Sequence, residues 1–271
     1  MSTNLDRSTQ KLEQIVWNYI RNNYENKFNQ KNVPMDLKFT ILSFAKQIIG
    51  SKFLTNKEDM KFMQFLLTKM VNIIKFRVLY TASKDGFKAH AFHNKCDGEN
   101  RPTLTIIKSN FGNIFGGYTS VPWGTDSSQN DEYLRSRFYY FDNTTQTVRN
   151  TYNPDWKKVT RQTDQNAFLF LIRSINDMEQ KDCPLIFDIK EDRKAMAVDH
   201  RPTYGPFFGP DLWIVNECNI IDKNLCCQSS YNYNSFKGVL CGEIKKEYKK
   251  CNVFKVVDYQ VIEIVCKGVS L

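Results

Sequence analysis

The stretch LYTASKDGFKAHAFHNKCDGENRPTLTIIKSNFGNIFGGYTSVPW, Leu79 to Trp123, decides the fold because its periodicity changes from helical to strand-like across a few punctuating residues. Asp85 and Gly86 end one apolar segment, and Phe87, Ala91 and Phe92 then recur at helical spacing. That pattern predicts a short helix over Phe87 to Lys95, closed by Asp97 and Gly98. Thr103 to Lys108 (TLTIIK) and Ile114 to Ser120 (IFGGYTS) read as strands, joined by a hairpin turn at Asn110 to Asn113. Gly116 and Gly117 sit inside the second strand, where glycine costs stability, so the pair implies a bulge or a close backbone approach.

Working outward, residues 1–50 have a separate character. Leu12, Ile15, Val16, Tyr19 and Ile20 mark one amphipathic helix, and NNYENKFNQKN breaks it. Val33 and Pro34 open a second helix with an apolar face from Leu37 to Ile49, ended by Gly50, which makes 1–50 a helical hairpin extension. A third helix is expected over Lys57 to Met70. From Phe76 onward, successive strands with turn signals and no alternating helix–strand repeat predict an α+β chain of antiparallel sheets packed face to face, with helices outside.

Composition narrows the class. The 271 residues hold 41% apolar and 25% charged side chains, enough for a sizeable core and unlike a disordered chain. No apolar run is long enough for a membrane helix, and MSTNLDRSTQKLEQ lacks a secretory pattern, so direct membrane insertion is not expected and a cytoplasmic setting is. The eight cysteines are accordingly read as reduced thiols, with no CxxC zinc pattern and with Cys226 and Cys227 in a loop. The net charge of +9 is spread along the chain; its densest run, Lys245, Lys246, Lys249 and Lys250, reads as a solvated turn, and no nucleic-acid motif accompanies it.

Three further segments complete a recognisable series. Asp164 to Leu171 (DQNAFLFL), Tyr204 to Ile214 (YGPFFGPDLWI) and Phe254 to Ile264 (FKVVDYQVIEI) follow the opening SKFL at Ser51 to Leu54 and the hairpin region. In this order the motifs resemble the TLDc domain family, over roughly Ser51 to Cys266. The resemblance implies a two-sheet antiparallel β-sandwich flanked by helices, a TLDc domain over 51–271 after the 1–50 extension. The chain departs from the family between Trp123 and Asp164, where about forty residues replace a shorter connection. This insertion, about 124–163, interleaves Tyr133, Phe138, Tyr139, Tyr140, Phe141, Tyr152 and Trp156 with arginines and lysines. RFYYFDNTTQTVRN within it reads as two strands joined at Asp142 to Thr144. A second departure puts Gln260 where the family carries a glutamate.

Chemistry-bearing patterns are sparse. His90, His93 and Cys96 stand one turn apart, a spacing that suits metal ligands, but no fourth ligand or carboxylate base is nominated, and His93 and Cys96 coincide with the AFHxxC of the TLDc pattern as packing and helix-end residues. No nucleophile elbow or phosphate loop is present, and Glu191 with Asp192 reads as an exposed acidic turn. No catalytic, cofactor-binding or metal residue is therefore assigned, and no cofactor is expected. The resemblance implies a non-enzymatic protein-interaction domain, similar to regulators that bind the cytosolic sector of the vacuolar proton-pumping ATPase, some linked to oxidative-stress resistance. Tyr133, Tyr139, Tyr140, Phe141 and Trp156 in the insertion, with Trp17 and Tyr24 in the extension, are the candidate partner contacts. The alternatives are a fixed component of a large cytoskeletal or organellar assembly, associated with an organelle membrane or cytoskeletal complex through a partner, and a metal- or redox-dependent enzyme using His90, His93 and Cys96.

Overall fold

An apolar run such as FLFLIR leaves neither face in water, and the computed structural model shows what covers each. Strand β7 (Phe168–Arg173) sends Leu169 and Leu171 into a core shared with a second sheet. Its alternate residues Phe168, Phe170 and Ile172 enter a core on the opposite face. The structure describes residues 51–54, 61–63, 65–66, 69–70, 73–98, 102–124, 138–142, 147–151, 160–176, 183–233, 236, 238–242 and 251–266; at 73–75, 138–142, 147–151, 160 and 266 the description is of backbone.

β7 belongs to a six-stranded antiparallel sheet with β1 (Ile73–Thr81), β2 (Thr103–Ser109), β3 (Ile114–Thr119), β8 (Leu185–Asp188) and β14 (Val256–Cys266). Its strand order is β1-β14-β2-β3-β7-β8. The facing sheet has the order β10-β11-β12-β13, from β10 (Tyr204–Phe208), β11 (Leu212–Val215), β12 (Asn224–Cys227) and β13 (Cys251–Phe254). Tyr80, Ile107, Phe115, Leu169 and Tyr259 of the first sheet meet Phe208, Leu212, Ile214, Cys226 and Phe254 of the second. On the outer face of the six-stranded sheet, Phe62 and Leu66 from the helical residues within 61–69 lie over Leu104, Phe170 and Ile262, with the Phe62 and Phe170 rings 4.5 Å apart. Both faces buried explains why these strands read as unbroken apolar runs.

The double glycine answers to close approach. The β2–β3 register runs without a shift from Thr103↔Thr119 to Lys108↔Ile114, so no bulge interrupts that pair. A Cβ at Gly116 would collide with the Thr105 carbonyl oxygen and stand 2.9 Å from the Phe170 ring, while one at Gly117 would stand 2.6 Å from the Phe208 ring of the facing sheet. Gly117 is thus the place where the second sheet presses an aromatic ring onto the backbone of the first.

The predicted hairpin and helix are present with small shifts: β2 and β3 pair through the 110–113 turn, and the helix, α2 (Ala89–Cys96), starts two residues later than its apolar spacing suggests and follows a short α1 (Ala82–Asp85). Residues 1–50 and the lysine run lie outside the described residues. Within the long segment after Trp123, β4 (Phe138–Asp142) and β5 (Thr147–Thr151) pair as a hairpin. Its last residues, β6 (Thr160–Gln162), join β9 (Val198–His200) in a second small sheet. The opening SKFL is strapped to β14: Ser51 Oγ and the Lys52 amide both donate to Gln260 Oε1, at 3.0 and 3.1 Å, and Gln260 Nε2 donates to Thr81 Oγ1 at 3.0 Å. Lys52 also pairs with Asp258.

The cysteines correct the sequence reading twice. Cys226 and Cys227 form the end of β12, buried on opposite faces, because strand alternation lets one thiol enter the inter-sheet core and the other the outer cluster with Phe207, Trp213 and Leu225. Cys227 is paired across the β12–β13 ladder with Cys251, and the two form a disulfide, so not all eight are thiols. Cys96, Cys183, Cys218, Cys226 and Cys241 are free and buried. Burial pushes the Cys218 thiol up to about 12, which makes it inert as a nucleophile.

Gly117→Ala is expected to lower unfolding free energy by about 1 to 3 kcal/mol, the usual cost of overpacking, in urea denaturation followed by tryptophan fluorescence. Reducing the Cys227–Cys251 bond, whose partners are separated by 24 residues, should cost about 3 kcal/mol on loop-closure grounds; Cys251→Ser measured without reductant should show a loss of the same size.

Candidate functional site at the base of the insertion

The long segment leaves the sandwich at Trp123 and Gly124 and returns through β6, and both ends meet at one corner. Trp123 is 3% exposed, its indole N–H donates to Thr103 Oγ1 at 2.8 Å, and its ring packs edge-on against Phe92 and Phe208. The Gly98 amide donates to the Trp123 carbonyl at 3.2 Å, fixing this exit to the end of α2. At the return, Thr160 pairs with His200, Arg161 with Asp199 and Gln162 with Val198. Asp164, just beyond β6, accepts from Thr119 Oγ1 (2.8 Å), the Ser120 amide (2.7 Å), Ser120 Oγ (2.6 Å) and the Asn166 amide (2.9 Å). Four donors satisfy this buried carboxyl group and tie the end of β3 to the start of β7.

His93 closes the corner from the helix side. Its Nδ1 lies 2.9 Å from Asp97 Oδ1, and its Nε2 lies 2.9 Å from the Arg201 carbonyl and 2.8 Å from that of Tyr204. Every partner is an acceptor, so both ring nitrogens must carry protons. Burial alone would lower the His93 pKa, but the Asp97 carboxylate and the two carbonyls outweigh it and raise it. An imidazolium therefore bridges α2 to the turn before β10.

Below it, Asp199 serves two arginines: Arg201 Nη2 at 2.9 Å and Arg161 Nε at 3.7 Å. The Arg201 guanidinium also lies 4.0 Å from the centre of the Phe207 ring, which stacks on Trp213 at 5.2 Å. A buried cation held between a carboxylate and a π face belongs to the architecture of the corner. His200 is 7% exposed and, among the described residues, its Nε2 has no hydrogen-bond partner.

Asp211, in the YGPFFGPDLWI segment, is a further buried carboxylate. It accepts from the Ser229 and Ser230 amides at 2.6 and 2.7 Å. Burial raises its pKa to about 6, against the downward pull of these amides, that of Tyr231 and the Tyr233 side chain.

The sequence-nominated residues do not converge. His90 is exposed, Cys96 is buried in the inter-sheet core and His93 is consumed as above, so the H-x-x-H-x-x-C spacing does not gather three ligands; among the described residues no group of three His, Cys, Asp or Glu side chains could hold a metal ion. Tyr139, Tyr140 and Phe141 lie on β4, whose backbone alone is described, and Tyr133, Trp156, Trp17 and Tyr24 lie outside the described residues. Asp199, His200 and Arg201 went unread in the sequence; three polar residues in succession before the YGPFFG segment were the available signal.

With this geometry in place, the comparison with known families is decisive: the TLDc domain model matches residues 48–258. The chain belongs to the TLDc family. A comparison with curated proteins found no match. The motifs of this TLDc chain are spent on architecture: Gly117 on sheet contact, Asp164 and Asp211 on loop amides, Gln260 on the strap. The matched range ends inside β14, whose remaining residues continue the ladder with β1 to Ile73↔Cys266, so the folded unit runs past it.

Because the folded-state pKa of Asp211 lies above its ordinary 3.8, its contribution to stability is complete below pH 3.8 and is lost as pH rises through about 6. Denaturant titrations should show a decline of about 2 to 3 kcal/mol across that window, at about 1.4 kcal/mol per pKa unit. Asp211→Asn should remove that slope.

Proposed function

We propose that this TLDc chain is a non-enzymatic protein-interaction domain that docks on the cytosolic sector of the vacuolar proton-pumping ATPase or a comparable large assembly. The family membership carries the reading. It is supported by the fate of the motif side chains, since a general acid or base must turn toward a substrate, whereas Asp164, Asp211 and His93 are turned toward backbone and side-chain groups of the fold itself. The aromatic and basic insertion and the N-terminal extension are the proposed contact surfaces, with tyrosine and tryptophan as anchors. The chain acts in the cytoplasm, reaching an organelle membrane through its partner; among the described residues no helix is long and apolar enough to cross one.

Affinity purification of the tagged chain from native cells, with and without ATP, is expected to recover pump subunits. The combined change of Tyr139, Tyr140 and Phe141 to Ala should lower that recovery tenfold or more, taking about 2 kcal/mol as the threshold for an interface hot spot. Absence of pump subunits under both conditions overturns the assignment to the pump.

A further inference from the structure

We propose that the seam joining Trp123–Gly124 to the β6–β9 pair is a proton-responsive joint, closed while His200 is neutral and opened when its second ring nitrogen takes up a proton. His200 lies where the exit and the return of the insertion meet. A Cβ on Gly124 would stand 3.7 Å from its Nδ1, Thr160 is its ladder partner in β6, and its ring centre lies 6.0 Å from that of Trp123. Its Nε2 is buried and, among the described residues, without a hydrogen-bond partner, so it is the nitrogen left bare in the neutral ring.

Protonation at Nε2 would add a buried donor with no hydrogen-bond acceptor among the described residues, and a charge close to the His93 cation. The charged groups around it are engaged with one another, Asp199 Oδ1 through an ion pair and not a hydrogen bond. From α2 come His93, itself a cation, and Asp97, which holds it; from β9 and the following turn come Asp199 and Arg201, paired to each other; from β6 comes Arg161, also on Asp199; and from β10 comes Tyr204, whose carbonyl accepts from His93. Burial depresses the His200 pKa, the His93 charge adds to that, and Asp97, Asp199 and the Pro122 carbonyl oppose it. A group so placed favours the closed seam above its ordinary value of 6.5 and releases that stabilisation as pH falls through its depressed folded value. His93 works in the opposite sense: its clamp is complete below the ordinary value of 6.5 and is lost as pH rises through its raised value. The two histidines of this corner therefore respond to pH in opposite directions. The joint is independent of the proposed partner, because it is read from the chain alone.

The test is hydrogen exchange by mass spectrometry on the full chain between pH 7.5 and 5.0, corrected for intrinsic rates. Amides at 119–124 and 160–164 are expected to exchange at least tenfold faster in the acid part of the range, while those of β2 hold steady, and His200→Gln should abolish the difference. Acid-independent exchange at the seam, or an undiminished response in the variant, overturns the proposal. Should His200→Gln fail to fold, imidazole NMR on the wild type decides: His200 protonating below 6.5 in step with seam exchange supports the joint, and protonation at or above 6.5, or without a change at the seam, refutes it.

Discussion

The Phe208 ring laid on the backbone of Gly117 is the contact on which the sandwich depends. Two sheets bearing large aromatic side chains on both inner faces would be held too far apart to exclude water, unless some position offered backbone in place of a side chain. Gly117 offers it on the inner face, and Gly116 offers it on the outer face to Phe170. With the sheets at that distance, Trp123 fits edge-on between Phe92 and Phe208, so the exit of the insertion is set by the same ring that sets the sheet spacing.

Polar side chains then fasten what the apolar contact has positioned. Asp164, Asp211, Gln260 and His93 each join segments far apart in sequence, and each is surrounded by complementary partners at hydrogen-bond distance. Buried polar groups of this kind contribute little net free energy when made and cost heavily when half-broken, so they select one arrangement of loops more than they stabilise it. The glutamine at position 260 illustrates the point. A neutral amide can accept from Ser51 and Lys52 while donating to Thr81, a division of roles closed to a carboxylate.

Much of this fold was legible in local pattern. The TLTIIK and IFGGYTS strands, the turn between them and the close approach at the glycine pair follow from periodicity and glycine's backbone freedom, and they stand where the residues put them. The family series added DQNAFLFL as a strand of the first sheet and YGPFFGPDLWI as two strands of the second. What stayed hidden was long-range pairing. Cys226 and Cys227 read as a loop because two adjacent cysteines carry no alternation of hydrophobicity, and the disulfide to Cys251 depends on a ladder between strands separated by a long connection. The corner at His200 was likewise invisible, since β6 and β9 are three residues each and become strands only by finding one another.

Strand β14 stands between β1 and β2 in the six-stranded sheet, pairing with both, although the chain reaches it only after every other strand has been made. During synthesis, β2, β3 and β7 emerge with one edge open where β14 will sit, for roughly ten seconds or more at ordinary translation rates. An unfilled edge beside apolar faces invites intermolecular strand pairing. The nascent chain is therefore open to such pairing until this late strand arrives, and truncation before it is expected to yield an aggregating fragment in place of a smaller domain.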